Sequence, residues 1–310
     1  MEVASDVHSW DELIPDTLGV IFAKLSIQER LTVIPRVCKS WARAVTGPYC
    51  WQEIDIDDWS SFCEPQHIER MVEMLITRSS GSLRKLSVSG LQTERIFNFI
   101  AENAGSLRNL RMIRCNMSNH VVEKMSGRLS RISVLDLSYC MQIGDEGIKI
   151  IGKNCKQLEV FCRNMHPLDT SGQPLDDAEA FAIATNMPKL RHLEMAYHLI
   201  SNDGVHQILS SCMKLEHLDL RGCWGVQLDN MSLNQKFPNL KILGPHVLGW
   251  DDSSDISDSS SDYVDSDMDE YDDESDDDMW YDGIRIEGLE LRVRVYVGIE
   301  DAGMHWPASP

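Results

Sequence analysis

Residues 83–88 read Leu-Arg-Lys-Leu-Ser-Val, and the same spacing of apolar positions, L-x-x-L-x-L, returns along the chain. It recurs at 107–112, 132–137, 190–195 and 215–220, with a degenerate copy at 158–163 and a truncated one starting at Leu240. First positions lie 24, 25, 26, 32, 25 and 25 residues apart. Side chains alternate along a strand, so the apolar positions of each unit face one way and the residues between them face the other.

A period near 25 residues is that of leucine-rich repeats. Between the strand units lie amphipathic segments at helical spacing, such as Ile148 and Ile151 before Cys155, and Val205, Ile208 and Leu209 before Cys212. Two matching helix starts, at 144–148 and 202–205, place acids near the positive helix end. The predicted class is therefore α/β: a short solenoid of parallel strands and helices, in which each repeat buries its core only against its neighbours. Two departures stand out. Arg163 occupies a position where an apolar residue belongs, and the stretch 166–176, rich in Pro, Gly and Asp, lengthens that repeat as a surface loop.

Working outward toward the N-terminus, Ile68, Met71, Val72, Leu75 and Ile76 form one more helical stripe, and Trp51, Ile54 and Ile56 alternate as a short strand. Residues 10–51 precede them. Leu18, Ile21, Phe22 and Leu25 fall on one face of a helix that Pro15 can start. Ser26 and Glu29 have the spacing of a capping box for a second helix carrying Leu31. Pro35 starts a third helix, with Val37, Cys38, Trp41 and Val45 on one side. Three short helices with this much apolar surface need a partner to cover it.

This N-terminal stretch resembles the F-box. The residues that carry the likeness are Ile14-Pro15, then Leu18, Ile21, Phe22 and Leu25, then Val37-Cys38-Lys39-Ser40-Trp41, then Trp51. Ile14 stands where the family pattern has Leu, a volume-conserving change. Cysteine placement agrees with it: Cys115, Cys140 and Cys223 sit three residues after their units, and Cys155 and Cys212 three residues before the next. This is similar to the cysteine-containing repeats of plant F-box proteins with leucine-rich repeats. The resemblance implies a domain plan of F-box at 9–56 and solenoid at 57–248. It implies docking on the Skp adaptor, and through it a cullin, by Ile14, Pro15, Leu18, Ile21, Leu25, Leu31, Val37 and Trp41. It also implies the work of a ubiquitin-ligase substrate receptor, the chemistry being done by other subunits.

Composition limits the alternatives. The net charge of −20 is local: residues 251–278 hold 15 acids and no base, which leaves 34 acids against 29 bases elsewhere. Generic nucleic-acid binding is therefore disfavoured. That run is expected to be a disordered linker at 249–280, and a C-terminal tail at 281–310 carries an alternating strand from Leu289 to Val297. Ser259, Ser266 and Ser275 each have Asp three residues on, the setting favoured by acid-directed kinases. Nine cysteines without a C-x-x-C pair, no secretory leader and no apolar run of membrane length point to free thiols in the nucleus or cytoplasm.

No phosphate-binding loop, zinc-protease motif or nucleophile elbow is present, so no catalytic residue and no cofactor are expected. His192 and His217 precede the second Leu of neighbouring units and invite a metal reading, but no third ligand in matching register is evident. The outward residues of successive units run Ser87, Arg111, Asp136, Cys162, Glu194 and Asp219, with Tyr139, Tyr197, Arg221 and Trp224 just beyond the strands. Carboxylates beside aromatic and Arg groups make interface anchors. The expected target-binding set is Arg111, Asp136, Tyr139, Glu194, Tyr197, Asp219, Arg221 and Trp224, with Asp136, Glu194 and Asp219 meeting a basic surface. The alternative is an acidic scaffold or chaperone for basic proteins, against which residues 10–51 weigh. A third possibility is an F-box protein that binds its adaptor without delivering a substrate.

Overall fold

The computed structural model describes residues 13–167, 174–228 and 236–245. These all belong to one compact unit, which ends at His246. The acidic run, the C-terminal strand, the three serines and the middle of the 166–176 loop lie outside the described residues.

Four short helices come first. They are α1 Pro15–Phe22, α2 Ile27–Thr32, α3 Ile34–Val37 and α4 Lys39–Thr46. Pro15 stands at the first turn of α1, where a missing N–H costs nothing. The capping box is present: the Ser26 hydroxyl accepts from the Glu29 amide at 3.2 Å, and the Ser26 amide donates to the Glu29 carboxylate at 3.0 Å. The single third helix expected from Pro35 is broken instead. Cys38 is extended, and its Sγ accepts from the Trp41 amide as the cap of α4. Val37 and Val45 consequently part company, Val37 exposed and Val45 in the core.

Trp51 joins this helical part to the rest. Wholly buried, it donates from Nε1 to the Val45 carbonyl at 2.7 Å. The Arg30 and Arg78 guanidiniums lie over its ring, 4.9 and 5.4 Å from the centroid. Arg78 belongs to α6 (Pro65–Ser79), whose Ile68, Met71, Val72, Leu75 and Ile76 are all buried, as their spacing requires.

Among the described residues eight parallel strands follow in strict chain order: β1 Glu53–Asp55, β2 Lys85–Ser89, β3 Asn109–Ile113, β4 Val134–Asp136, β5 Val160–Cys162, β6 His192–Glu194, β7 His217–Asp219 and β8 Lys241–Leu243. Each L-x-x-L-x-L unit supplies one strand, and β1 adds a rung ahead of the first. Helices α7 (Glu94–Glu102), α8 (Asn119–Ser126), α9 (Asp145–Asn154), α10 (Ala178–Asn186) and α11 (Asn202–Ser211) return the chain on the outer side. The strand leucines and the inner helix faces form one continuous core, with Leu86, Leu110, Leu135, Phe161, Leu193 and Leu218 each buried.

Neighbouring repeats are stapled by side chains at their helix starts. Asn119 accepts from the Gly144 amide at 3.0 Å, Asp177 from the Ser201 amide at 2.7 Å, and Asn202 from the Gln227 amide at 2.8 Å. These staples explain the matching helix starts in the sequence. A Cβ on Gly204 would come within 2.4 Å of Asp177 Oδ1, so only glycine lets the carboxylate in. Four cysteines of the repeats are buried packing groups whose Sγ atoms meet carbonyls of the preceding rung: Cys140 meets Met112, Cys155 Leu129, Cys212 Met187 and Cys223 Met195, at 3.1 to 3.5 Å.

Arg163 does take the inward apolar position of its unit. It is fully buried and made tolerable there by a complete set of acceptors: the Glu179 carboxylate and the carbonyls of Leu137, Cys140 and Ile143. Among the described residues no helix is long and apolar enough to cross a membrane.

Candidate interaction faces

Strand register brings the outward side chains into two rows across the sheet. One runs Glu53, Lys85, Asn109, Val134, Val160, His192, His217, Lys241. The other runs Asp55, Ser87, Arg111, Asp136, Cys162, Glu194, Asp219, Leu243. The second row contains the outward residues expected from the sequence, in the expected order.

Burial changes what that row offers. Ser87 and Ser89 are fully enclosed, because helix α5 (Asp57–Ser60) lies across the face at β2. Ser60 Oγ accepts from the Ser89 amide at 2.9 Å, and Ser61 Oγ accepts from Arg114 at 2.9 Å. Further along, the carboxylates are occupied. Asp136 holds Arg111 Nε at 3.1 Å and accepts the Ser138 amide; Asp219 holds Arg221 at 2.6 Å and accepts the Arg221 amide. Asp136 is 5% exposed and Asp219 2%. The expectation of open carboxylates at Asp136 and Asp219 is therefore corrected: what they present outward is their Arg partners. Asp136 raises the Arg111 pKa despite the opposing effect of burial, and the hydrogen bond to Asp219 raises that of Arg221.

Glu194 stands in the middle of the row. Its carboxylate meets His192 Nε2 at 2.7 Å and accepts from Asn164 Nδ2 at 2.8 Å. Burial works to raise its pKa, but these hydrogen bonds outweigh it and hold the group below the ordinary value. The His192 ring stacks flat on that of His217, centroids 4.2 Å apart. Across the register lies Cys162, whose thiol is pushed far up by burial and then by Asp136 and Glu194. One ligand atom each of Cys162, His192 and Glu194 lies within 4.8 Å of the others. The register thus brings a thiol from the degenerate repeat and a carboxylate from His192's own strand beside the ring.

The strand-end turns present the aromatic residues. Arg114, Tyr139 and Tyr197 have φ of 51, 63 and 62°, and Gly222 has 72°. Each donates its amide to the next turn, at the carbonyls of Ser138, Asn164, Arg221 and Pro245. Left-handed backbone costs a non-glycine residue about 1 kcal/mol or more, so the repeated turn is maintained against strain. Tyr139 packs on His166 with centroids 4.5 Å apart, and the Tyr197 ring covers Gly222 so closely that a Cβ there would lie 2.2 Å from it. Trp224 is 46% exposed at the same edge.

The second face is on the N-terminal helices. Ile14, Val37 and Ile21 are 68, 52 and 39% exposed, and Pro15 is exposed too. Leu25 is half-buried, as is Trp41, which packs against Phe22 at 4.9 Å. Leu18 and Leu31 are inside, at 0 and 9%, so the expectation that they meet a partner directly is corrected: they support the surface from beneath. In their place the structure exposes Val20 at 54% and Val33 at 53%. A one-face reading of α1 missed Val20, because apolar residues occupy both sides of that helix.

Comparison with known proteins adds relatives to this geometry. A family model described as Leucine Rich repeat matches residues 132–152. The chain is 58% identical over 253 residues to F-box protein FBW2 of Arabidopsis thaliana, covering 81% of this chain and 80% of that protein. It is 32% identical to F-box protein SKIP19 of the same plant, covering 78% of each. A solved structure of the Rad7 and Elc1 complex in yeast is similar over 56% of this chain and 44% of that one, at 18% identity and a TM-score of 0.42, too loose a likeness to bear on function.

Proposed function

The chain belongs to the F-box proteins that carry leucine-rich repeats, and on that premise we propose that it is the substrate-recognition subunit of a Skp–cullin–F-box ubiquitin ligase. The N-terminal helices dock on the Skp adaptor, and the concave face of the sheet holds the protein to be modified. Ubiquitin transfer itself belongs to other subunits.

One observation carries the reading. Five large aliphatic side chains, Ile14, Val20, Ile21, Val33 and Val37, stand exposed within a short stretch whose own core is already filled by Leu18, Phe22, Ile34, Val45 and Trp51. A folded helical unit that leaves such residues outside has a partner for them. On the other face, Tyr139, Tyr197 and Trp224 beside the paired Arg111 and Arg221 have the composition of interface anchors.

The test is co-purification with the adaptor. Val20→Asp with Ile21→Asp removes adaptor binding while the melting temperature of the chain stays near wild type. Retained adaptor binding by that folded variant overturns the proposal. The target arm is separate: Trp224→Ala with Tyr197→Asn keeps the adaptor and loses proteins that accumulate on wild type when the proteasome is inhibited.

A further inference from the structure

Eight of the nine cysteines lie in the core or in the N-terminal part of the chain; Cys162 alone stands in an outward row of the sheet. We propose that Cys162 Sγ, His192 Nε2 and one Glu194 oxygen form a binding site for a single Zn²⁺ ion at the centre of the concave face. The proposal goes beyond the ligase reading and does not depend on it.

The geometry comes from two adjacent strands. Cys162 and Glu194 are register partners on β5 and β6, and His192 lies two residues before Glu194 on the same face. Between these positions Phe161 and Leu193 point inward and are fully buried, which fixes the backbone that carries the ligands. The three ligand atoms lie within 4.8 Å of one another. Ligand atoms around a tetrahedral Zn²⁺ at 2.0–2.3 Å are separated by about 3.3–3.8 Å. Closing the difference takes side-chain rotations of about 1 Å, without moving a strand.

The donor set selects the ion. Thiolate, imidazole and carboxylate together suit Zn²⁺, whereas Mg²⁺ and Ca²⁺ take oxygen ligands. Supporting groups around the ligands are already in place. Asn164 Nδ2 binds Glu194 Oε2 and leaves Oε1 toward His192, while Asn164 Oδ1 is pinned by the Ala196 amide at 3.0 Å. His217, flat against His192, sets the plane of the ligating ring. Asp136 and Asp219 flank Cys162 and Glu194 in the same row, with Arg111 and Arg221 as their counter-charges.

On binding, the Cys162 thiol proton leaves to solvent and sulfur gives its electron pair to the ion. His192 ligates as the neutral ring with its proton on Nδ1, giving up the hydrogen bond to Glu194 for a shared cation. Thiolate and carboxylate then balance the two positive charges, and the fourth position is open to water on the concave side.

The experiment uses the reduced, metal-stripped full chain. Co²⁺ is added as a spectroscopic probe, and Zn²⁺ is titrated against a chromophoric chelator. Wild type takes up one Zn²⁺ in competition with the chelator, and Co²⁺ gives a thiolate charge-transfer band in the near ultraviolet. Cys162→Ser and Cys162→Ala each abolish the band. His192→Ala and Glu194→Gln each weaken Zn²⁺ binding by about 10-fold or more, at least the loss seen when even an outer-shell partner is removed. Two substitutions at Cys162 guard against one of them failing to fold, and melting curves with chelator present identify a folding failure. The carboxylates of residues 251–278 also attract cations, but they give no thiolate band and are untouched by these substitutions. Absence of the band in wild type, its survival in both Cys162 variants, or Zn²⁺ affinity indifferent to His192 and Glu194 overturns the proposal and leaves the cluster as a His–Glu hydrogen bond beside a thiol.

Discussion

Arg163 and Glu179 meet inside the solenoid. The guanidinium, wholly buried, donates from Nε and Nη2 to the two carboxylate oxygens at 3.2 and 3.1 Å. Breaking a buried pair leaves an uncompensated charge and costs about 3–5 kcal/mol, whereas replacing both partners by apolar groups is often neutral. We expect Glu179→Ala to lower the urea midpoint of unfolding strongly. The double variant Arg163→Met, Glu179→Met should recover much of that loss. Equal destabilisation by the single and double variants would show that the carbonyl acceptors, and not Glu179, keep Arg163 inside.

A second prediction concerns close approach. Gly204→Ala puts a methyl 2.4 Å from Asp177 Oδ1 and 2.8 Å from Ile200 Cγ1. Something must shift, and overpacking of this kind costs about 1–3 kcal/mol. Gly127, with nothing within 4 Å of its would-be Cβ and a right-handed backbone, tolerates the same change or gains slightly from it. Thermal melting of the two variants side by side checks this, and a Gly204→Ala protein as stable as wild type refutes the staple argument.

On the N-terminal helices, stability and partner binding should separate. Leu18→Ala empties a fully buried site and costs about 2–5 kcal/mol. Val20→Ala, at an exposed position, changes stability by less than about 0.5 kcal/mol. Denaturation of both variants without any adaptor tests the assignment of inside and outside; similar losses would mean α1 is rotated from the orientation described.

Stability should also depend on pH through His198. Its Nε2 lies 2.5 Å from the Arg163 carbonyl, and burial holds its pKa below the ordinary 6.5 against the pull of Glu179. Below about pH 6.5 the unfolded chain takes up a proton that the folded chain refuses. The contribution is therefore complete above that pH and declines as the pH falls toward the folded-state value. His166 and His217, also lowered by burial, act in the same direction. Urea midpoints measured between about pH 7.5 and 5.5 should fall with pH, less steeply in His198→Gln than in wild type. Parallel slopes for the two proteins would remove His198 from the account.

The repeat, its strands and its outward row were legible because period and alternation are local properties that leave their mark in a single stretch. The Ser26–Glu29 cap was legible for the same reason. Arg163 was recognised as out of place, but its remedy was not visible: Glu179 comes 16 residues later, past the irregular loop. Cys162 and Glu194 were legible as neighbours in one row, but their closeness to the His192 ring depends on side-chain rotamers, which a repeat pattern does not carry. Charge alone also misled. Asp136 and Asp219 look available in sequence, yet an Arg one strand away and an Arg two residues on occupy them.

Helix α5 gives the concave face a polarity. It seals the rung at β2, while from β3 to β8 outward side chains such as Arg111 and His192 reach solvent. Five strand spacings of about 4.8 Å make that open track roughly 24 Å long, the reach of about seven extended residues. The aromatic residues Tyr139, Tyr197 and Trp224 follow β4, β6 and β7 and so line one long side of it. On the proposed reading of this face as the target site, that asymmetry gives a bound segment a direction as well as a limit.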